Sequence, residues 1–563
     1  GQPVFARKQR GRATEIVEWL VSEWRTPARA NAESSPVNTL SRPLSSALLI
    51  LCLAWLLPGL IGHAPWKGVD ASYFVRFLAL WQQGDWLLPG AAKEAFPPLY
   101  FWLATLTAWL TSPFLALHDG ARLASGVFVA IALFFTARAA AALYGKDHRW
   151  PAALALLGSV GLLLRVHEMN AYTAQLAGVA IVLDSLARLP QQTRQEWVLA
   201  AGLSVVLLAT GLIEALALAL LAGVLPMLIP VYRQPQAMRS LFAGLLAALV
   251  FGALWIVVLW SQNEAPASAL QLQRWPGWGN ASGIKPAYVI SAIPWFLWPA
   301  LPLAAWAIYR MRRDWRAPAT LLPLLSLLVL FGLFTVSLHP GEDRLLALAV
   351  PSAVLAAAGV MTLRRGAAYA FLWFSVMLFG FLGLVFWVYW SAHDLGIPAR
   401  LAQRLSRLGV ADIGELRVLP MVFGLIITAT WVVFLARLER SPYRPLLVWS
   451  AGITFIWVLL LTLFLSVFDA RLSYTHIGES VKKQVPQNAC INARGMGPQA
   501  RAMLAYHSER DIRAMPVKTC NWLLVQRKRR QAGPDLASHW KLYQEIVRPG
   551  DREYYYQLYA RQR

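Results

Sequence analysis

The stretch GVDASYFVRFLALWQQGDWLLPGAAKEAFPPLYFW, residues 68–102, decides how the chain is organised. It follows the first long apolar run, precedes many others, and carries charged side chains such as Asp70 and Arg76. It also holds Trp86 and Trp102, aromatic side chains of the kind enriched at membrane–water interfaces. A polar loop in this position predicts a site at the bilayer surface. A solvated connecting loop is the alternative, and it fits the charges equally well.

The composition is that of a polytopic membrane protein. Of the 563 residues, 57% are hydrophobic and 14% are charged, and the mean hydropathy is +0.48, which excludes an ordinary soluble protein. Apolar runs near the spanning length of about 20 residues recur along most of the chain. The net charge of +23 indicates Lys and Arg anchoring at the cytoplasmic surface rather than nucleic-acid binding.

We therefore predict an all-α polytopic membrane protein of about 13 transmembrane helices, with a small C-terminal α/β soluble domain. Residues 1–44 form a cytoplasmic segment with an amphipathic or simply solvated helix at 14–20. Residues 45–467 form the transmembrane domain with an outer loop at 62–120, and residues 468–563 form a periplasmic domain. No cleavable signal peptide is expected, because a long polar segment precedes the first apolar run. The predicted spans, with boundaries good to about three residues, are 45–61, 121–143, 149–164, 171–188, 197–211, 213–231, 237–261, 287–309, 318–337, 344–362, 367–391, 415–436 and 444–467.

Positively charged loops predict the topology. The loops that contain Lys146, Arg233 and Arg312 fall on one side, together with similar ones, and that side should be cytoplasmic. An odd number of spans places the N-terminus inside and the tail outside. We interpret the apolar run 99–115 as a helix on the outer leaflet, because a further span would move every later positive loop outside. The alternative is that a run within 197–231 fails to cross.

The tail from residue 469 onward has the pattern of a small α/β domain. The predicted elements are strands at 489–492 and 522–525, a helix at 499–507, and a hairpin of 540–547 and 554–559 around Arg548-Pro549-Gly550-Asp551. Cys490 and Cys520 lie in this tail, and they could form a disulfide if it faces an oxidising compartment.

Three stretches of the chain carry a resemblance to a known family. They are VDASYF…QQGDWLLPG…KEAFPPLYFWL, ARLASGVFVAIALFFTARAAAALYG and LLLRVHEMNAYTAQLAG. Together they resemble the GT-C membrane glycosyltransferases, in particular the aminoarabinose lipid A transferase branch, which is related to protein O-mannosyltransferases. The resemblance covers roughly residues 65–365 and implies an inverting glycosyltransferase of the bacterial inner membrane, with its active site on the periplasmic side. It also implies an undecaprenyl-phosphate-linked sugar as donor and a lipid A, glycan or protein acceptor.

The chain departs from the pattern of this branch at four places, which bear on the substrate and phosphate contacts more than on the fold. Where the family has an Asp-Glu pair, this chain has Val69-Asp70 (or Asp70-Ala71), and where the family has Glu-Lys before the double proline, it has Ala95-Phe96. The family's Asp after the His-Glu pair is replaced by Tyr172, and its Lys-Gly-Pro element by Thr210-Gly211-Leu212.

Glycosyl transfer from a lipid phosphate needs a base for the acceptor, cations for the departing phosphate and a firm hold on the sugar. Asp70 is the candidate base, because it is the acid nearest the end of the first span and corresponds to the family acid. The alternative is that Asp70 caps a helix at 72–82.

The candidate donor-binding residues lie on three outer loops. They are Tyr73, Lys93, Glu94, Arg165, His167, Glu168, Asp343 and Arg344. The alternatives are a solvated Lys93–Glu94 pair, a structural cluster around Arg165, and snorkelling of Arg344 to the interface. His167 and Glu168 could hold a divalent metal, although two ligands are too few to predict a metal site. The outer loop 262–286 could cover the donor cavity or anchor tryptophans in the headgroup region.

Two other functions remain open on the sequence. A transporter or lipid flippase would place ionisable residues near mid-membrane, where this chain has mainly Glu214 and Asp184. A ligase or polymerase of lipid-linked glycans would use the same kind of donor. The basic run 527–530 in the tail predicts contact with an anionic acceptor, or only with lipid headgroups.

Overall fold

The structure is a computed structural model that describes residues 42–84, 86–87, 96–261, 270–272, 286–337, 341–407, 416–514, 520–529, 539–551 and 553–561. The predicted helix at 14–20, the candidate residues Lys93 and Glu94, and most of the loop 262–286 lie outside these residues.

The regular elements of the described chain before residue 473 are helices. They are α1 (Arg42–Leu56), α2 (Val69–Gln83), α3 (Leu99–Thr111), α4 (Leu117–Tyr144), α5 (Arg149–Leu157), α6 (Leu162–Arg165), α7 (Tyr172–Arg188), α8 (Gln195–Thr210), α9 (Leu212–Leu228), α10 (Pro235–Ser261), α11 (Pro286–Phe296), α12 (Ala300–Arg310), α13 (Pro318–Val336), α14 (Leu346–Met361), α15 (Arg365–Asp394), α16 (Ala399–Arg407), α17 (Val418–Ala436) and α18 (Arg444–Leu472).

Among the described residues, seven segments are long and apolar enough to cross a membrane. They are α4, α10, α13, α15, α17, α18 and the continuous segment Glu342–Met361 that contains α14. The predicted spans 149–164 and 287–309 are each built from two short helices, α5 with α6 and α11 with α12. The polytopic helical class is confirmed, while the count of about 13 spans stays a prediction.

Helix α3 covers most of the apolar run 99–115. Its 13 residues extend about 20 Å, which is less than the hydrocarbon thickness of about 30 Å. Tyr100, Phe101, Ala104 and Ala108 face the protein interior. The length agrees with a helix that does not span, and its position on the outer leaflet stays a prediction.

The segment Glu342–Met361 lies at the centre of the bundle, since 94% of its apolar window is buried, against 11% for α10 and for α17. The side chains that α10 and α17 leave exposed are large and apolar, and a surface of this extent is typical of contact with lipid.

Helices α7 and α8 approach closely through glycines. A Cβ on Gly178 would lie 3.1 Å from the Val206 nitrogen, and one on Gly202 would lie 3.0 Å from the Val182 nitrogen.

Contacts join the loops that were predicted on the cytoplasmic side to one another. The Tyr144 hydroxyl donates to the Ala319 carbonyl at 2.6 Å, so the loop after α4 lies beside the start of α13. The Tyr232 hydroxyl donates to Leu186 in the same way at 2.7 Å. Arg188, at the end of α7, donates to the Arg138 carbonyl near the end of α4 at 3.1 Å and so connects the two contacts. These loops therefore lie at a common end of the bundle, and its identity as the cytoplasmic end stays a prediction.

The C-terminal part is an α/β domain, as predicted. It contains α19 (Thr475–Gln484), β1 (Cys490–Arg494), α20 (Pro498–Ser508), β2 (Asp511–Arg513), β3 (Trp522–Lys528), β4 (Trp540–Ile546) and β5 (Tyr554–Arg561). The strand order is β2-β1-β3-β5-β4, with β1 parallel to β2 and β3, and β5 antiparallel to β3 and β4. The predicted hairpin is confirmed as β4 and β5. Cys490 and Cys520 form the predicted disulfide.

This domain packs against the first outer loop through α20. The Gln499 side chain donates to the Gly68 carbonyl at 2.9 Å, directly before α2 begins. The Tyr506 ring packs edge-on against Phe74 of α2 with centroids 4.9 Å apart, and its hydroxyl lies 3.1 Å from His118 Nδ1. Helix α2 is therefore held between the bundle and the C-terminal domain.

Candidate functional site

Helix α2 presents two different faces, because residues three and four apart share a side of a helix. Its first face carries Asp70, Phe74 and Phe77, all of which are buried. Its second face carries Val69, Ser72, Tyr73 and Arg76, and these residues line a cavity. Gly84 ends the helix in the left-handed conformation, with φ at 77°.

The Asp70 carboxylate is fully buried and forms an ion pair. Its Oδ2 accepts from Arg122 Nη2 at 2.9 Å and from the Trp66 backbone at 3.1 Å. Its Oδ1 accepts from the Met169 backbone at 2.8 Å. Arg122 is fully buried too, and it also pairs with Asp119 at 3.0 Å. Burial alone would raise the pKa of Asp70, but Arg122, His63 and these hydrogen bonds hold that pKa below its usual range.

This geometry corrects the placement expected for Asp70. The carboxylate does not reach the cavity, since it faces Arg122 on the other side of α2 and its exposure is 0%. The described conformation therefore gives no support to the prediction that Asp70 is the base. The capping alternative is wrong, because Gly68 is the N-cap and Asp70 lies in the first turn.

The cavity on the second face of α2 has a volume of about 370 Å³. It is lined by Gly68, Val69, Ser72, Tyr73, Arg76, Phe96, Tyr172, Gly341, Asp343 and Arg344. Three of the predicted donor-binding residues are among them, namely Tyr73, Asp343 and Arg344. Residues of three separate loops therefore line one cavity.

Two arginines give the cavity its positive charge. Arg344 is 8% exposed, its Nε donates to the Tyr172 hydroxyl at 3.2 Å, and its Nη1 contacts the Ser337 hydroxyl. Arg76 donates to the Ser72 hydroxyl at 2.9 Å, and its guanidinium lies 5.5 Å from the centre of the Tyr73 ring. Guanidinium groups fixed in this way are suited to an anionic ligand such as a phosphate.

Among the described residues that line the cavity, Asp343 is the one that carries a carboxylate. Its Oδ1 lies 3.6 Å from Arg165 Nε and 3.4 Å from the side-chain nitrogen of the buried Asn170. Arg165 does not line the cavity, but it also pairs with Glu168 at 3.1 Å and with Glu342 at 2.7 Å. The predicted cluster around Arg165 therefore supports the wall of the cavity from behind.

His167 and Glu168 are not arranged as metal ligands. The two ring nitrogens of His167 lie 2.6 Å from the Leu163 carbonyl and 2.9 Å from the Trp55 carbonyl, so neither faces a ligand. Burial lowers the pKa of His167 to about 4 and raises the pKa of Glu168 to about 7. Within the described ranges, no group of three or more His, Cys, Asp or Glu side chains could hold a metal ion. The residues present do not fit the metal that was considered.

The sequence interpretation did not select Arg76, Phe96 or Arg122 as site residues. Helical spacing could have identified Arg76, because positions 69, 72, 73 and 76 recur at intervals of three and four residues. Arg122 could have been identified as a charge inside a predicted span, where a buried partner is required. Phe96 stands next to a double proline in a polar loop, and we see no pattern that would have singled it out.

The fold can be compared with that of proteins of known structure. The structure of ArnT from Cupriavidus metallidurans bound to undecaprenyl phosphate matches with a TM-score of 0.66 at 14% sequence identity, over 92% of this chain and 98% of that one. The same protein in the apo state matches with a TM-score of 0.65 over the same shares of the two chains. The archaeal oligosaccharyltransferase AglB from Archaeoglobus fulgidus, in complex with an inhibitory peptide and a dolichol-phosphate, gives 0.45 at 10% identity, over 86% of this chain and 69% of that one. No protein-family model matches the sequence, and no curated protein matches it significantly. The chain thus has the GT-C fold of ArnT.

Proposed function

From this fold we propose that the chain is an inverting glycosyltransferase that uses a sugar linked to a polyprenyl phosphate, such as undecaprenyl phosphate. The observation that carries the proposal is the cavity of about 370 Å³ that holds two fixed arginines, a carboxylate and aromatic walls. The similar ArnT structure was solved with undecaprenyl phosphate bound, which supports the same class of donor here.

Arg344 and Arg76 would hold the phosphate of the donor. A phosphate monoester that leaves during transfer gains negative charge, and fixed guanidinium groups stabilise that charge without reorganisation. Arg344 is held by Tyr172 and Ser337 before any ligand arrives, so little conformational entropy is lost when the phosphate binds.

Tyr73, Phe96 and Tyr172 would hold the sugar. Phe96 packs edge-on against Tyr73 and against Tyr172, with centroids 5.4 Å and 6.1 Å apart, so the three rings form a rigid wall. An apolar wall with a few fixed polar groups is typical of a small-molecule site, and sugar rings offer C–H faces to such walls. Lys93 and Glu94 remain candidates on the segment that precedes Phe96.

The cavity and the C-terminal domain would both lie on the periplasmic face of a bacterial inner membrane, with residues 1–44 in the cytoplasm. The support is the positive charge of the loops at the other end of the bundle and the contact between α20 and α2. The acceptor would be a lipid A, a glycan or a protein, and a phosphorylated lipid would suit the basic tail.

The transporter alternative needs ionisable groups that change partners within the membrane. Of the two acidic residues predicted near mid-membrane, Glu214 is 5% exposed and lines a small cavity together with Arg344. Asp184 is 0% exposed and pairs with Arg188 at 2.7 Å and with Arg138 at 3.3 Å. Because Asp184 already has two cationic partners at the end of α7, it is better explained as part of the scaffold. This favours the enzyme over the transporter, and the ligase alternative differs only in its acceptor.

The test is mass spectrometry of lipids and surface glycans from cells with and without the gene. A sugar-modified lipid or glycan that disappears on deletion, and returns with the wild-type gene but not with Arg344→Ala, would support the proposal. An unchanged glycan and lipid profile, together with a changed distribution of a lipid between the two leaflets, would support a flippase instead.

A further inference from the structure

We propose that Asp343, rather than Asp70, is the base that takes the proton of the acceptor. The inference rests on the glycosyltransferase function proposed above. It assigns the catalytic step to the loop before α14 instead of the first outer loop.

The two carboxylates differ in what they face. Asp343 lines the cavity beside Arg344, and its side chain is 16% exposed. Asp70 is 0% exposed, and both of its oxygens accept from Arg122 or from backbone N–H groups. A base must come within hydrogen-bond distance of the proton that it removes. In the described conformation Asp343 borders the cavity in which a ligand would bind, and Asp70 does not.

Asp343 is also held in position. Asn170 is fully buried, and its side-chain nitrogen reaches toward Asp343 Oδ1 at 3.4 Å while its oxygen accepts from the Tyr172 backbone at 3.0 Å. Arg165 approaches the same oxygen at 3.6 Å. These contacts orient the carboxylate. Arg165 and Asn170 are therefore positioning residues, because they act through Asp343.

In this step the sugar moves from the phosphate to the acceptor, and no other reactant is required. The Asp343 carboxylate accepts a proton from the hydroxyl or amine of the acceptor, and the lone pair of that atom forms a bond to the anomeric carbon of the sugar. The bond between the anomeric carbon and the phosphate oxygen breaks, and its electron pair stays on that oxygen. The polyprenyl phosphate leaves with an additional negative charge beside Arg344 and Arg76, and Asp343 later releases its proton to solvent.

The chain offers a matched control in Glu342. This neighbouring carboxylate pairs with the same Arg165 but is 50% exposed and does not line the cavity. The variants to compare are therefore Asp343→Asn and Glu342→Gln, each of which removes one negative charge near Arg165.

The experiment uses the purified full chain in lipid nanodiscs, with undecaprenyl-phosphate-linked aminoarabinose and other undecaprenyl-phosphate sugars as donors and lipid A as acceptor. We expect Asp343→Asn to lower kcat by at least about 100-fold, the contribution typical of a general base, and to leave the Kd for undecaprenyl phosphate within about threefold. Glu342→Gln should lower kcat far less than Asp343→Asn does, because it changes a partner of Arg165 but removes no carboxylate from the cavity. The variant Asp343→Glu should retain part of the activity, which tests the inference even if the Asn protein is unstable.

The outcomes separate the inference from the proposed function. If wild type transfers sugar and Asp343→Asn does so at a similar rate, Asp343 is not the base, although the glycosyltransferase function stands. If Asp343→Asn weakens binding of undecaprenyl phosphate as much as it lowers transfer, Asp343 is a binding residue only. If wild type transfers none of the donors and does not bind undecaprenyl phosphate, the proposed function fails, and the inference fails with it.

Discussion

Asp70 and Arg122 form an ion pair 2.9 Å long in which neither side chain is exposed to solvent. The pair connects the first turn of α2 to the first turns of α4, and Arg122 further donates to the carbonyls of Leu60 and His63. Two carboxylates, those of Asp70 and Asp119, and two backbone carbonyls therefore depend on one guanidinium. The role that this geometry assigns to Asp70 is to hold the loop against the bundle.

We predict that Asp70→Ala lowers the thermal stability of the protein in detergent. Removing one partner of a buried pair leaves the other charge uncompensated, which typically costs about 3–5 kcal/mol. We expect a loss of stability at the lower end of this range, because Asp119 still pairs with Arg122 at 3.0 Å. The triple variant Asp70→Ala/Asp119→Asn/Arg122→Met should recover part of the loss, since none of the three charges of this buried cluster remains. A single variant as stable as wild type would show that the pair is not structural.

The position of Asp70 also shows where prediction from sequence ended. The membrane class, four of the five strands of the C-terminal domain and the disulfide could be predicted, because span length, strand alternation and turn residues are local properties. The short strand β2 was not predicted. The direction of the Asp70 side chain depends on which face of α2 packs against α4, and that is a tertiary property. For the same reason the interruptions between α5 and α6 and between α11 and α12 were not predicted, since two short apolar helices have the composition of one long helix.

Arg344→Ala is expected to weaken the binding of undecaprenyl phosphate more than it lowers stability. A charge-assisted hydrogen bond contributes about 1.5–3 kcal/mol, so the Kd should rise by roughly 10- to 150-fold. Arg344→Lys should give an intermediate Kd, because lysine keeps the charge but loses the planar fork that Tyr172 and Ser337 hold. The Kd can be measured by native mass spectrometry or by ligand-induced thermal stabilisation.

A matched control for this prediction is Arg313→Ala, which removes an exposed arginine from the opposite end of the bundle. It should leave the Kd unchanged. Equal affinity of Arg344→Ala and wild type for undecaprenyl phosphate would remove Arg344 from the site.

The raised pKa of Glu168 leads us to predict that the stability of the protein depends on pH. Burial raises its pKa to about 7, against the opposing effect of Arg165 and with further increases from Asp70 and Asp343. Between its ordinary pKa of 4.5 and pH 7 the folded protein keeps a proton that the unfolded chain has lost. The contribution of this group to stability is therefore complete at low pH and declines as the pH rises through this range, by up to roughly 3 kcal/mol in all.

Glu168→Gln should abolish this decline, so the stability difference between the variant and wild type should change steadily from pH 4.5 to pH 7. The stability of the variant must be compared with that of wild type at each pH, because His167 makes stability change with pH in the opposite direction in both proteins. Its pKa is lowered to about 4, so its contribution is lost as the pH falls. Parallel melting-temperature profiles of wild type and Glu168→Gln across this range would show that Glu168 ionises normally.

The last prediction concerns the basic edge of the C-terminal domain, at the end of β3. Arg527 donates to Gln557 at 3.2 Å, and Lys528 pairs with Glu553 at 3.2 Å. Part of the positive charge of this edge is therefore compensated within the domain. Arg529 is exposed beside them, whereas Arg530 lies outside the described residues. If this edge attracts an anionic acceptor, reversing Arg527 and Arg529 to glutamate should raise the KM for lipid A several-fold. The kcat and the hydrolysis of the donor should not change, because α20 and not β3 contacts the loop beside the cavity.

Varying the salt concentration distinguishes an effect of the charge of this edge on acceptor binding from an effect of its shape. Attraction between exposed charges is screened over about 8 Å at physiological ionic strength, so the KM of wild type should rise between about 50 and 300 mM salt while that of the reversed variant stays nearly constant. Lys483→Glu, which reverses an exposed charge on α19 of the same domain, is the control for a general change of net charge. A KM that responds equally to both reversals would indicate only a general field of the domain. A KM that responds to neither would mean that the acceptor is captured elsewhere, and the contact between Gln499 and Gly68 would then be the next place to test.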